Sequence, residues 1–156
     1  MRLAYLECIQ LIERLHRQCL EVVKAELERL AIRDLNNIQA LILFNIDQEE
    51  LTVGELTQRG YYLGSNVSYN VKKMVENGYL EQNRSLHDRR SSHVRLSDKG
   101  MAVCRHLSTL FDRHASDLKA AGFEPEDLHT ACDSLAQVSR YWASPNHFTG
   151  RVTAAA

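Results

Sequence analysis

LGSNVSYNVKKMVENGYL (63–80), followed directly by EQNRSLHDRRSSHVRLSDKG (81–100), decides how this chain folds. In the first stretch Val67, Val71 and Met74 fall within about 60° of one another on a helical wheel, which marks a core-facing side. Ser65, Tyr69, Lys72, Lys73 and Glu76 lie opposite, with Asn66 and Asn70 on one flank and Ser68 on the other. Gly78 after Asn77 is a good helix stop, because glycine enters the left-handed conformation without a Cβ penalty. The spacing predicts a helix over 65–77. Beyond it, Leu80, Val94 and Leu96 alternate with polar residues, which predicts strands over 79–84 and 92–96 around the loop RSLHDRRSSH (84–93).

Working outward, Thr52-Val53-Gly54-Glu55 fits a capping box that opens a short helix to about Arg59. RGYYLGS (59–65) is the turn between the two helices, with a glycine near each end. Residues 3–31 carry Ile9, Ile12, Cys19, Val23, Leu27 and Leu30 at helical spacing. A second helix starts after Asp34 and runs through LNNIQALILFNI to about Asp47. Downstream, Ser97 is an N-cap for a helix over 98–121, striped by Met101, Cys104, Leu107, Phe111 and Leu118 and ended by Gly122. Pro125 opens a last helix to 143, and Ser144-Pro145 stops it.

The expected fold class is mainly α (α+β), a winged helix-turn-helix lobe with long N- and C-terminal helices. The expected domain is single, over 1–148, with the lobe at 34–97, flanking helices at 1–32 and 98–145, and a disordered tail at 149–156. The flanking helices are too long for the lobe to cover. Their apolar stripes are most simply buried against a second copy, as a homodimer.

A polar, cationic helix beside a basic hairpin is what a reader of double-stranded DNA needs. Ser65, Asn66, Ser68, Tyr69, Lys72 and Lys73 form the candidate recognition surface. They offer hydroxyls, amides, a phenol and ammonium groups for base edges and phosphates. In the hairpin, Arg90 is the candidate for a narrow minor groove, where negative potential concentrates. Asp88 would hold the loop or pair with a neighbouring Arg, and Arg84, His87, Arg89 and Ser91 would touch phosphates. The net charge of −1 is uninformative, but residues 64–100 carry seven Lys and Arg against four Asp and Glu. That basic lobe on an acidic body steers towards phosphate.

Cys8, Cys19, Cys104 and Cys132 form no CxxC pair, and the chain is large enough to fold without staples, which fits a reducing cytoplasm. Glu7 interrupts the Leu3–Leu6 run and no cleavage motif follows, so no signal peptide is expected. No run approaches the length of a membrane span.

LTVGELTQRGYYLGSNVSYNVKKMVENGYLEQNRSLHDRRSSHVRLSDKG (51–100) resembles the MarR family of winged helix-turn-helix transcription regulators. The motifs carrying the resemblance are the LTVGEL opening, V-x-x-x-V-x-x-M-V-E-x-G-Y-L, the D-R-R wing and the V-R-L-S-D-K-G exit. GYYLGSNVSYNVKK is similar to the LdtR-like alphaproteobacterial subgroup. The resemblance implies a homodimer built from terminal helices on a pseudo-palindromic operator. It implies recognition residues at Ser65, Asn66, Ser68, Tyr69 and Lys72, and a wing arginine at Arg90. It also implies a small aromatic effector between the dimer helices and the lobe, with Tyr61, Tyr62 and Cys19 as candidate lining. Packing is the simpler role for those tyrosines. Gly60-Tyr61 and Leu63 depart from the family's usual turn.

Other functions find little support in the residues. No P-loop, GxGxxG, GxSxG or HExxH occurs, so neither an enzyme nor a cofactor is expected. His106 and His114 could share a helix face, but without HxxxH or CxxC spacing no metal is expected. Cys8 or Cys19 as a redox switch requires an exposed, activated thiol. The competing reading is a dimeric helical adaptor whose winged lobe binds protein.

Overall fold

The computed structural model describes residues 1–46, 49–58, 64–84 and 92–144. The element order is α1 (Arg2–Arg29), α2 (Asn37–Ile46), β1 (Leu51–Thr52), α3 (Val53–Gln58), α4 (Gly64–Glu76), β2 (Leu80–Arg84), β3 (Ser92–Leu96), α5 (Asp98–Ala120) and α6 (Pro125–Ala143). This is the mainly helical winged fold expected. The chain divides into two compact units, Met1–Phe111 and Asp112–Ala156.

The first unit holds the core. Val23 and Leu27 of α1 meet Ala40, Ile42, Leu43 and Ile46 of α2, Val67, Val71 and Met74 of α4, and Val103, Leu107 and Leu110 of α5. Burial on α1 is confined to its last two turns, where Val23, Glu26 and Leu27 are covered. On α5, Val103 and Leu110 are buried deepest with Leu107, one step round from the stripe that the spacing suggested. Phe44 and Phe111 meet edge to face at 5.2 Å.

The helix ends follow local rules. Thr52 and Glu55 cap α3 reciprocally: Glu55 N–H donates to Thr52 Oγ1 at 3.1 Å, and Thr52 N–H to Glu55 Oε2 at 2.7 Å. Gly78, at φ 76°, ends α4 as a Schellman motif, with Tyr79 N–H reaching the Met74 carbonyl at 2.8 Å. The end of α1 repeats this geometry with Ala31 at φ 55°, where Ile32 N–H donates to the Leu27 carbonyl at 2.9 Å.

Two boundaries differ from the sequence reading. α2 begins at Asn37 rather than just after Asp34, because Asn36 and Gln39 form a second reciprocal cap. Gln39 N–H donates to Asn36 Oδ1 at 2.8 Å, and Asn36 N–H to Gln39 Oε1 at 3.1 Å. Among the described residues the sheet has three strands, in the order β1-β3-β2, rather than two. Leu51 pairs with Val94 and Thr52 with His93, and a two-residue strand is too short to show periodicity.

In the second unit, α5 closes at Gly122, with φ 92° and Phe123 N–H bonded to the Leu118 carbonyl at 3.1 Å. α6 starts at Pro125 as expected and contains no buried residue.

Candidate nucleic-acid interface

α4 buries Val67, Val71 and Met74 and turns Asn66, Ser68, Tyr69 and Lys72 outward. Tyr69 is 62% exposed, and the Lys72 side chain is 77% exposed. Lys73 lies lower, with its Nζ 2.8 Å from Glu76 Oε2. This bond raises the Lys73 pKa and lowers that of Glu76, so both stay charged. Glu76 also lies 4.0 Å from Lys72 Nζ. One carboxylate therefore faces two of the predicted phosphate-binding ammoniums. Ser65 is in the first turn of α4.

Asn70 departs from the flank the wheel gave it. It is buried, accepting from Gln39 Nε2 at 3.2 Å and donating from Nδ2 to the Asn66 carbonyl at 2.9 Å. At 100° per residue Asn70 sits only about 40° from Met74, so seating Met74 in the core carries Asn70 inward with it. It is not available to a base edge.

The C-terminal end of α4 is held by a polar knot. Asp34, between α1 and α2, accepts from Tyr79 Oη at 2.6 Å and from Lys99 Nζ at 2.8 Å. Its carbonyl accepts from Asn77 Nδ2 at 2.6 Å. Lys99 Nζ also reaches the Asn77 carbonyl at 3.0 Å and lies 3.9 Å from the centroid of the Tyr79 ring. Ser97 Oγ donates to the Gly78 carbonyl at 2.7 Å while accepting from Gly100 N–H at 3.1 Å. Sequence reasoning missed Asp34, Tyr79, Lys99 and Gln39 as positioning groups. Of these only Gln39 carried a local signal, the Asn36-x-x-Gln39 cap.

In the wing, Glu81 stands opposite Arg95, and the two pair at 2.6 Å on the outer face. The predicted wing residues His87, Asp88, Arg89, Arg90 and Ser91, and the effector candidates Tyr61 and Tyr62, lie outside the described residues, as do the side chains of Ser65 and Arg84.

Residues 35–100 match the family described as a winged helix DNA-binding domain. The chain is 34% identical over 140 residues to the exopolysaccharide II synthesis transcriptional activator ExpG of Rhizobium meliloti (strain 1021), covering 90% of this chain and 72% of that protein. Its fold is similar to that of Staphylococcus aureus MarR in complex with salicylate and kanamycin, at a TM-score of 0.72 and 18% identity, covering 90% of this chain and 93% of that one. It is similar as well to Streptococcus pneumoniae FabT in complex with DNA, at a TM-score of 0.68 and 18% identity, covering 88% and 96%. The chain belongs to the MarR family.

As a MarR-family protein it is a DNA-binding transcription regulator and not an enzyme. In that frame α3 and α4 are the helix-turn-helix and β2–β3 the wing. Among the described residues no group of three His, Cys, Asp or Glu could hold a metal ion, and no helix is long and apolar enough to cross a membrane. Cys8, Cys19 and Cys104 are half-buried and Cys132 is exposed, and none of the four is in a disulfide. A cleft of about 430 Å³ opens where α1 turns into α2. Leu27, Ile32 and Leu35 line it together with Lys24 and Arg33, and Cys19 does not.

Proposed function

We propose that this MarR-family protein is a homodimeric, sequence-specific repressor acting on a pseudo-palindromic operator. Two copies of α4 enter successive major grooves, and the wings reach the flanking minor grooves through Arg90. The observation that carries this reading is the outward face of α4. Asn66, Ser68, Tyr69 and Lys72 project from a helix tied to its neighbours at its middle and at its C-terminal end. A base-reading helix needs side chains that extend and a backbone that does not move.

Dimerisation is supported by the apolar side chains on the terminal helices. Leu3, Leu6, Leu11 and Leu15 of α1 and Leu128, Leu135, Tyr141 and Trp142 of α6 are exposed. Large apolar surface of this kind marks an interaction site. The flanking helices 1–32 and 98–145 would build the dimer and 34–97 would read DNA. Repression follows from promoter occlusion, relieved when a small aromatic effector fixes a lobe spacing the operator cannot accept. Salicylate in the similar S. aureus structure supports that effector class. The R. meliloti relative bears the name of an activator, so transcription from the bound promoter decides the sign.

The test is fluorescence anisotropy with a duplex selected from a random pool, beside a scrambled duplex, over a range of salt. Tight, sequence-dependent binding that weakens steeply with salt is expected, because each neutralised phosphate releases counterion. Equal, salt-insensitive binding to both duplexes would favour the adaptor reading. Sedimentation equilibrium of the DNA-free protein checks the dimer.

A further inference from the structure

Gln39 serves two helices at once. Its Oε1 accepts the Asn36 N–H and closes the first turn of α2, while its Nε2 donates to Asn70 Oδ1 on α4. Asn70 passes the bond on, from Nδ2 to the Asn66 carbonyl. Gln39 and Asn70 are 6% and 8% exposed. The direction of this relay is set by the backbone at both ends. An N–H at Asn36 can only donate and a carbonyl at Asn66 can only accept, so neither side-chain amide can flip without setting like groups against each other. A buried amide pair adds little net stability over apolar groups of the same shape, yet it penalises every arrangement that leaves one member unmet.

We propose that Gln39 and Asn70 are positioning residues that set the rotation of α4 about its axis against α2, and so determine which base edges Asn66, Ser68 and Tyr69 reach. The proposal rests on the DNA-reading function given above. The apolar contacts of Val67, Val71 and Met74 hold α4 against the core but tolerate small rotations, since packing is non-directional. The amide relay is directional and does not.

The test uses the full chain with Gln39→Met, Asn70→Leu, the double variant, and Gln39→Glu. Gln39→Glu is nearly isosteric but sets a second acceptor against Asn70 Oδ1. Each variant is expected to fold and to bind a scrambled duplex with the wild-type affinity and salt dependence. Each is expected to lose at least about ten-fold of the preference for a duplex selected by the wild-type protein. The double variant loses no more than either single one, because one relay is broken once. Unchanged preference, or losses that multiply in the double variant, would overturn the proposal. So would loss of cooperative folding in both Gln39 variants, which would make the pair a requirement of the fold. Backbone amide NMR shifts of the DNA-free protein give a readout independent of DNA. In Gln39→Met they are expected to move along α4 from Asn66 to Lys73 and to stay in place in β2 and β3. A wild-type chain that prefers no duplex would defeat the DNA-reading function, and the shifts would still decide the relay.

Discussion

The Tyr79 hydroxyl donates to Asp34 Oδ1 at 2.6 Å across 45 positions of sequence, and Lys99 caps the other carboxylate oxygen at 2.8 Å. Through this pair the α1–α2 connection, the end of α4 and the start of α5 share one polar knot. Tyr79 is almost wholly buried and spans the core and its edge. Replacing Asp34 with Ala is expected to cost about 1–2 kcal/mol, chiefly the orphaned Tyr79 hydroxyl, with little from the half-exposed Lys99 pair. Urea denaturation measures it, and a loss under a few tenths of that would show the knot to be ornamental.

The same knot sets a pH window. Bonds from Lys99 and Tyr79 lower the Asp34 pKa, so its contribution is present above about pH 4, the unfolded value, and is lost as pH falls through the folded one. Burial, then the Asp34 bond, raises the Tyr79 pKa, and the Asp34 bond raises that of Lys99. Their contributions are present below about pH 10 and are lost as pH rises through the folded values. Asp34→Asn is expected to flatten the acid limb of stability against pH. An acid limb identical to wild type would contradict this.

Gly100 is needed for contact rather than conformation. A Cβ there would run into the Tyr79 carbonyl oxygen, which is backbone and cannot swing away. Gly100→Ala is expected to destabilise by about 1–3 kcal/mol, read as a lower thermal midpoint.

Ala31 holds a left-handed conformation that glycine adopts more easily, at φ 55°. Ala31→Gly is expected to stabilise the fold by about 0.5–1 kcal/mol, since relief of the left-handed strain outweighs the added chain entropy. Chemical denaturation checks the sign.

DNA binding separates the cations. Lys72→Ala is expected to weaken binding to all duplexes alike and to reduce the salt slope by about one. Lys73→Ala should do less, because Glu76 already neutralises that ammonium. Glu76→Gln should tighten binding by freeing both lysines. Arg90→Ala is expected to weaken operator binding by about 1–3 kcal/mol if the wing reads a groove. Anisotropy across a salt series ranks the four, and equal effects at positions 72 and 73 would refute the pairing argument.

Much of this architecture is legible from short-range signals. The Thr52–Glu55 box, the glycine stops at 78 and 122, Ser97 and Pro125 each act within one helical turn, so composition and spacing alone determine where those helices begin or end. The outward set on α4 follows from the period of Val67, Val71 and Met74, and the family follows from motifs in residues 51–100. Tertiary structure alone decided the rest. β1 exists because Leu51 and Thr52 find β3, and Asn70 is buried because seating Met74 turns it inward against Gln39. Asp34, Tyr79 and Lys99 form one site only once three elements converge. A bond between residues 45 apart leaves no periodic trace, because its partners are chosen by the packing of the chain between them.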